Sequence, residues 1–150
     1  MPLNTKKQQG VAMMEVLIAI VVIAFGFMAL LKLQLSTLNN VTASNQRYIA
    51  ASLAHSMGDM LRVNAANRDS YNGADTNVFS KDCSSSTCSL YENDMYEWKR
   101  SINDAAQALP EGRGTILVNA GRAVISLYWK EKRSIHNVEN ASFQLEVQVE

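Results

Sequence analysis

The chain has 150 residues, enough for one domain with an appended segment and too few for two full-sized domains. Fourteen Lys+Arg balance fourteen Asp+Glu, so the net charge is zero and the basic excess of a general nucleic-acid binder is missing. A hydrophobic fraction of 47% excludes global disorder, but the apolar residues are concentrated near the N-terminus.

The chain opens MPLNTKKQQG, whose only charged side chains are Lys6 and Lys7, and turns abruptly apolar after Gly10. From Val11 to Leu31 there are 21 residues broken by one charge, Glu15, and the sixteen from Val16 to Leu31 carry no polar side chain at all. As a helix this run spans roughly 30 Å, the thickness of a bilayer's hydrocarbon core. The lysines before it predict a cytoplasmic N-terminus and an exported remainder. A cleavable secretory signal has a shorter apolar region, about 7–15 residues, ending in small residues; here the run ends Leu30, Leu31, Lys32, Leu33. A plain membrane anchor leaves Glu15 unexplained, because a carboxylate inside such a run costs about 2.5–3.5 kcal/mol.

Gly10 at the polar-to-apolar boundary, with Glu15 as the fifth residue after it, resembles the class III signal of the type IV pilin and pseudopilin family. The resemblance implies removal of residues 1–10 as a leader by a prepilin peptidase cutting between Gly10 and Val11. It also implies N-methylation of Val11, and an assembly role for Glu15 as partner of an N-terminal amine. Val11 departs from the Phe usual in the family. A glycine before the cut suits close approach of a peptidase to the backbone, and a buried carboxylate needs an opposite charge.

Past Leu31 the pattern becomes amphipathic, with Leu38, Val41, Ile49, Leu53, Met57, Met60 and Leu61 mostly at helical spacings. No proline intervenes before Pro110, so one helix is expected from Val11 to about Val63. It divides into a transmembrane or filament-core half, 11–31, and an amphipathic half, 32–63, leaving 64–150 as a globular head. Residues 64–89 read as a long polar loop with a turn at Asn72-Gly73. Cys83 and Cys88 are the only cysteines; without a nearby histidine they make a poor zinc site, and an exported location favours a disulfide between them. No metal or cofactor is expected.

A second helix is expected from a Ser89 cap through Tyr91, Met95, Trp98, Ile102 and Leu109 to a stop at Pro110, with Tyr91 and Trp98 as core. Glu111-Gly112-Arg113-Gly114 reads as a turn. TILVNA, AVISLYWKEK and SFQLEVQVE read as three strands. Alternation places Ala123, Ile125, Leu127 and Trp129 on one face of the second, and Phe143, Leu145, Val147 and Val149 on one face of the third. The short Asn119–Arg122 link suggests a hairpin. The expected fold is α+β and pilin-like: a long N-terminal helix whose amphipathic half covers an antiparallel sheet of at least three strands.

Within the family the chain is most similar to PilV-type minor pilins. That likeness lies in Gly26-Phe27-Met28-Ala29-Leu30-Leu31-Lys32-Leu33-Gln34, in the paired cysteines followed by Asp94, Trp98 and Leu109-Pro110-x-Gly112, and in the Trp-containing strand Val124–Trp129. Ala29 and Lys32 depart from the pattern. The resemblance implies a subunit that initiates or caps a type IV pilus from the inner membrane, with a periplasmic head. Its implied partners are other minor pilins and the major pilin through the N-terminal helix, the prepilin peptidase and the assembly platform. A type II secretion pseudopilin and a tip adhesin or DNA-uptake subunit are the alternatives; zero net charge weighs against direct nucleic-acid binding. An enzyme is not expected: His55 and His136 are isolated, and no G-x-S-x-G is present. Asn40-Val41-Thr42 and Asn140-Ala141-Ser142 match the glycosylation pattern, which the leader makes incidental.

Overall fold

The computed structural model describes residues 8–84, 87–106, 108–132 and 138–149. The basic pair Lys6 and Lys7, and His136, lie outside the described residues. The elements in chain order are α1 (Gln8–Val63), a 3-10 helix (Ala65–Tyr71), β1 (Ala74–Asp75), α2 (Leu90–Asp104), β2 (Arg113–Asn119), β3 (Arg122–Lys132) and β4 (Val138–Gln148). The fold is α+β, with a long N-terminal helix packed on a four-stranded antiparallel sheet of order β1-β2-β3-β4.

The chain divides into two compact units, residues 1–39 and 40–150. The described part of the first, residues 8–39, is helix throughout. It is apolar and long enough to cross a membrane, and none of its membrane-length window is buried within the chain. Every side chain from Met13 to Val41 is exposed, an apolar surface far larger than a soluble monomer carries. α1 starts at Gln8, three residues before the expected Val11.

In the second unit, the buried face of α1 is formed by Gln46, Ala50, Ala54, Met57, Gly58 and Leu61. This corrects the expected stripe. Leu38 and Val41 stay exposed, Ile49, Leu53 and Met60 are half-buried, and the closest approach to the sheet uses small residues. A Cβ at Gly58 would lie 3.2 Å from Val147 Cγ1 and 3.6 Å from Ile125 Cδ1. Large side chains at this contact would push helix and sheet apart, which is why an apolarity pattern misses it.

The sheet's core face carries Ile116 and Val118 from β2, Ala123, Ile125, Leu127 and Trp129 from β3, and Val147 followed by Val149 from β4. Phe143 and Leu145 share that face but are half-buried. Ala120 and Gly121 close the β2–β3 hairpin at positive φ, 48° and 78°, the two-residue turn whose twist matches the flanking strands. β3 and β4 pair without interruption from Arg122↔Gln148 to Lys132↔Val138, so β4 begins four residues before the expected Ser142.

Two further expectations are corrected. Residues 64–89 are not one long loop: they hold the 3-10 helix and β1, which pairs Ala74↔Ile116 and Asp75↔Thr115 at the sheet edge. Two residues give no alternation to read, and their partners lie about forty positions away. α2 ends at Asp104, before Pro110, where the Ala105 N–H turns back to the carbonyl oxygen of Ser101. Its start is as expected: Ser89 accepts from the Glu92 N–H at 3.3 Å, and Glu92 Oε2 accepts from the Ser89 N–H at 2.8 Å, a complete capping box.

Candidate functional site

The sequence-predicted residues fall in two places. Gly10, Val11 and Glu15 lie on α1, in residues 1–39, where the backbone at Gly10 and Val11 is helical. Glu15 is exposed. Four residues separate Val11 from Glu15, a little over one helical turn, so both lie on the same side of the helix. A carboxylate there is available to a group from outside the chain. The apolar run that follows offers the same surface on all sides, from Val16 to Leu31. Gly26 interrupts it, and a Cβ there would meet nothing within 4 Å. Intramolecular packing does not require that glycine.

Cys83 and Cys88 form a disulfide, with Cα atoms 5.9 Å apart. The bridge sits immediately before the capping box of α2. Lys81 Nζ reaches Glu92 Oε1 at 2.6 Å, so the segment carrying the disulfide is also tied to the first turn of α2. Lys81 and the Ser89 backbone N–H together hold the Glu92 carboxyl down at about 2.

Asp94, Trp98, Leu109, Pro110, Gly112 and the strand around Val124–Trp129 all lie in the second unit, residues 40–150. Asp94 is buried on α2 and accepts from the Tyr71 hydroxyl at 2.5 Å, while Asn64 Nδ2 donates to the same phenol oxygen at 2.9 Å. Burial raises the Asp94 carboxyl above the usual carboxylate range, and the Tyr71 bond offsets part of that rise. Burial, and then the Asp94 bond, raise the Tyr71 phenol. Tyr71 also stands edge-on to Tyr91, with ring centroids 5.0 Å apart. Trp98 is core as expected; its indole N–H donates to the Leu53 carbonyl of α1 at 3.0 Å, fixing α2 to the long helix. The indole lies against Gly114, where any Cβ would fall inside the ring. Gly112 is equally confined, since a Cβ there would come 2.9 Å from Ile102 Cγ2. The Pro110 carbonyl accepts from the Lys130 N–H at 2.8 Å, anchoring the connection from α2 to β2.

Sequence reasoning missed Asn64 and Tyr71, which are distant from Asp94 along the chain. No local pattern marks either one. Glu111 lies in the expected turn, at a left-handed φ of 55°. His55 is exposed on α1. Among the described residues no three His, Cys, Asp or Glu side chains are grouped to hold a metal. Comparison with family models, curated proteins and solved structures returns no match to this chain.

Proposed function

We propose that this chain is a minor pilin, a structural subunit and not an enzyme, which initiates or caps assembly of a type IV pilus. The observation that carries the reading is the order Gly10, Val11, Glu15 at the head of an apolar helix whose side chains are exposed from Met13 to Val41. Such a helix requires an apolar environment that its own chain does not supply, and a bilayer and a helical filament core both supply one. On this reading the prepilin peptidase cuts between Gly10 and Val11, and Val11 is N-methylated. The subunit then waits in the inner membrane with its head in the periplasm before joining the pilus at the cell surface. Glu15 neutralises an N-terminal amine as the helix enters the filament beside other minor pilins and the major pilin. Cleavage on the cytoplasmic side keeps the whole apolar helix in the mature product.

The decisive experiment is mass spectrometry of sheared pili from a strain with active prepilin peptidase and assembly platform. The expected product begins at N-methylated Val11 and is present at substoichiometric amounts. A chain that keeps residues 1–10 overturns the reading. Deletion separates the pseudopilin alternative: loss of pili with intact secretion supports a pilus subunit, and the reverse supports a type II secretion pseudopilin.

A further inference from the structure

On the face of the sheet turned away from α1 there is an open cleft of about 470 Å³, built where the turn after β1 meets the N-terminal end of β2, the distal half of β3 and the start of β4. Its walls carry Asn77, Glu111, Arg113, Tyr128, Lys130 and Asn140. The register explains the grouping. Arg113 pairs with Tyr128 across β2 and β3, and Lys130 pairs with Asn140 across β3 and β4, so all four side chains emerge together. Tyr128 is 40% exposed, an aromatic ring presented in the middle of a polar surface.

Three features distinguish this cleft from an ordinary charged surface. First, each cation is paired with a carboxylate. Arg113 Nε lies 3.1 and 3.2 Å from the two carboxylate oxygens of Asp75, and Lys130 Nζ lies 2.9 Å from Glu111 Oε2. Two cations against two carboxylates leave the cleft without net charge to attract an anion, which suits a neutral ligand. Second, these pairs hold the polar groups in place before any ligand arrives: Asp75 Oδ1 also accepts from the Asn77 N–H at 2.9 Å. Third, Glu111 holds a left-handed backbone that a side chain disfavours and a glycine would take freely. Its carboxylate lies 2.9 Å from Lys130 Nζ and forms part of the cleft wall.

The geometry points to a binding site for a neutral saccharide. A sugar ring has an apolar C–H face that stacks on an aromatic ring and a hydroxyl rim that both donates and accepts. Tyr128 provides the platform. The Asn77 and Asn140 amides donate and accept, and the Glu111 carboxylate accepts from hydroxyls. The site lies wholly in residues 40–150 and does not depend on the pilin reading, so the two fail separately.

The test uses the full chain in lipid nanodiscs and neutral trisaccharides of glucose, galactose and N-acetylglucosamine, in α- and β-linked forms, with sialyllactose as the acidic arm. Saturation-transfer NMR reads which sugar protons contact protein. The expected result is binding of at least one neutral trisaccharide through its C–H face, weakened about tenfold or more by Tyr128→Ala and largely retained by Tyr128→Phe. Asn140→Ala is expected to weaken the same sugar. Thermal unfolding is run on each variant; should Tyr128→Ala unfold early, a Tyr128→Leu variant takes its place. Failure of every neutral probe, binding of sialyllactose alone, or binding indifferent to residue 128 overturns the proposal.

Discussion

Tyr71 Oη and Asp94 Oδ2 lie 2.5 Å apart inside the head, joining the end of the 3-10 helix to the first turns of α2. Asn64, just past the end of α1, donates to the same phenol oxygen, so one buried hydroxyl connects the end of α1, the 3-10 helix and α2. Removing it should be costly. Tyr71→Phe leaves the Asp94 carboxylate buried without its donor, and a loss of about 1–3 kcal/mol is expected. Chemical denaturation of the full chain in micelles measures it, and a Tyr71→Phe/Asp94→Asn double mutant should be less destabilised than the sum of the singles.

The same pair gives a pH signature. The Asp94 carboxyl is raised in the folded state, so the protein favours its protonated form. That contribution is fully present below the ordinary value of 3.8 and is lost as pH rises through the raised one. Asp94→Asn keeps an acceptor for the Tyr71 hydroxyl and buries no charge. At pH 7 it should therefore unfold at or above the wild-type temperature, with the advantage vanishing in acid. Glu92 runs the other way. Its carboxyl is lowered from 4.5 to about 2 by Lys81 and by the Ser89 cap, so its contribution is present above 4.5 and lost as pH falls toward 2. Glu92→Gln should accordingly cost stability at neutral pH and little near pH 2. Thermal unfolding followed across pH for the two variants checks both signs.

The disulfide closes a small loop ahead of α2. Replacing Cys83 and Cys88 together by Ser should lower stability by about 2 kcal/mol, mainly by freeing the unfolded chain. The head should still fold, because the Ser89–Glu92 capping box and the Lys81 pair remain. In protein purified without reductant, neither cysteine should take up an alkylating reagent before reduction.

On the proposed pilin function, Glu15→Leu is expected to separate assembly from folding. The substituted helix is more apolar, so membrane insertion and cleavage after Gly10 should be unchanged. The head should keep its unfolding temperature. Incorporation into sheared filaments should fall by orders of magnitude, because an N-terminal amine leaving water without a partner costs several kcal/mol. Immunoblots of membrane and filament fractions measure both. Wild-type incorporation would remove the proposed role of this carboxylate.

Glycines 26 and 114 offer a contrast. Gly114→Ala drives a methyl into the Trp98 indole, and an overpacking cost of about 1–3 kcal/mol is expected. Gly26→Ala meets nothing within the chain and should leave thermal unfolding unchanged. A filament defect in the second variant, without a folding defect, would locate its role in contacts between subunits.

Much of the architecture follows from local pattern. The apolar run after Gly10 fixes a membrane-length helix, because backbone groups in an apolar setting must bond within their own segment. Ser89 and Glu92 set the start of α2 by bonding to each other's backbone. Alternation in Ala123–Trp129 and Phe143–Val149 identifies the core face, since a strand's side chains can only alternate. The apolar run also puts Val11 and Glu15 on the first helix. What only the tertiary structure decided depends on partners far apart in the chain. β1 exists because Ile116 and Thr115 offer it a sheet edge. Gly114 is required because Trp98 fills the space a Cβ would take, and Gly58 lets Val147 approach closely. Asp94 is buried where the Tyr71 hydroxyl, itself held by the Asn64 amide, donates to it, and the cleft around Tyr128 forms because strand register aligns residues from β2, β3 and β4. Periodicity records which way a side chain points; what it meets there is decided when distant segments are brought together.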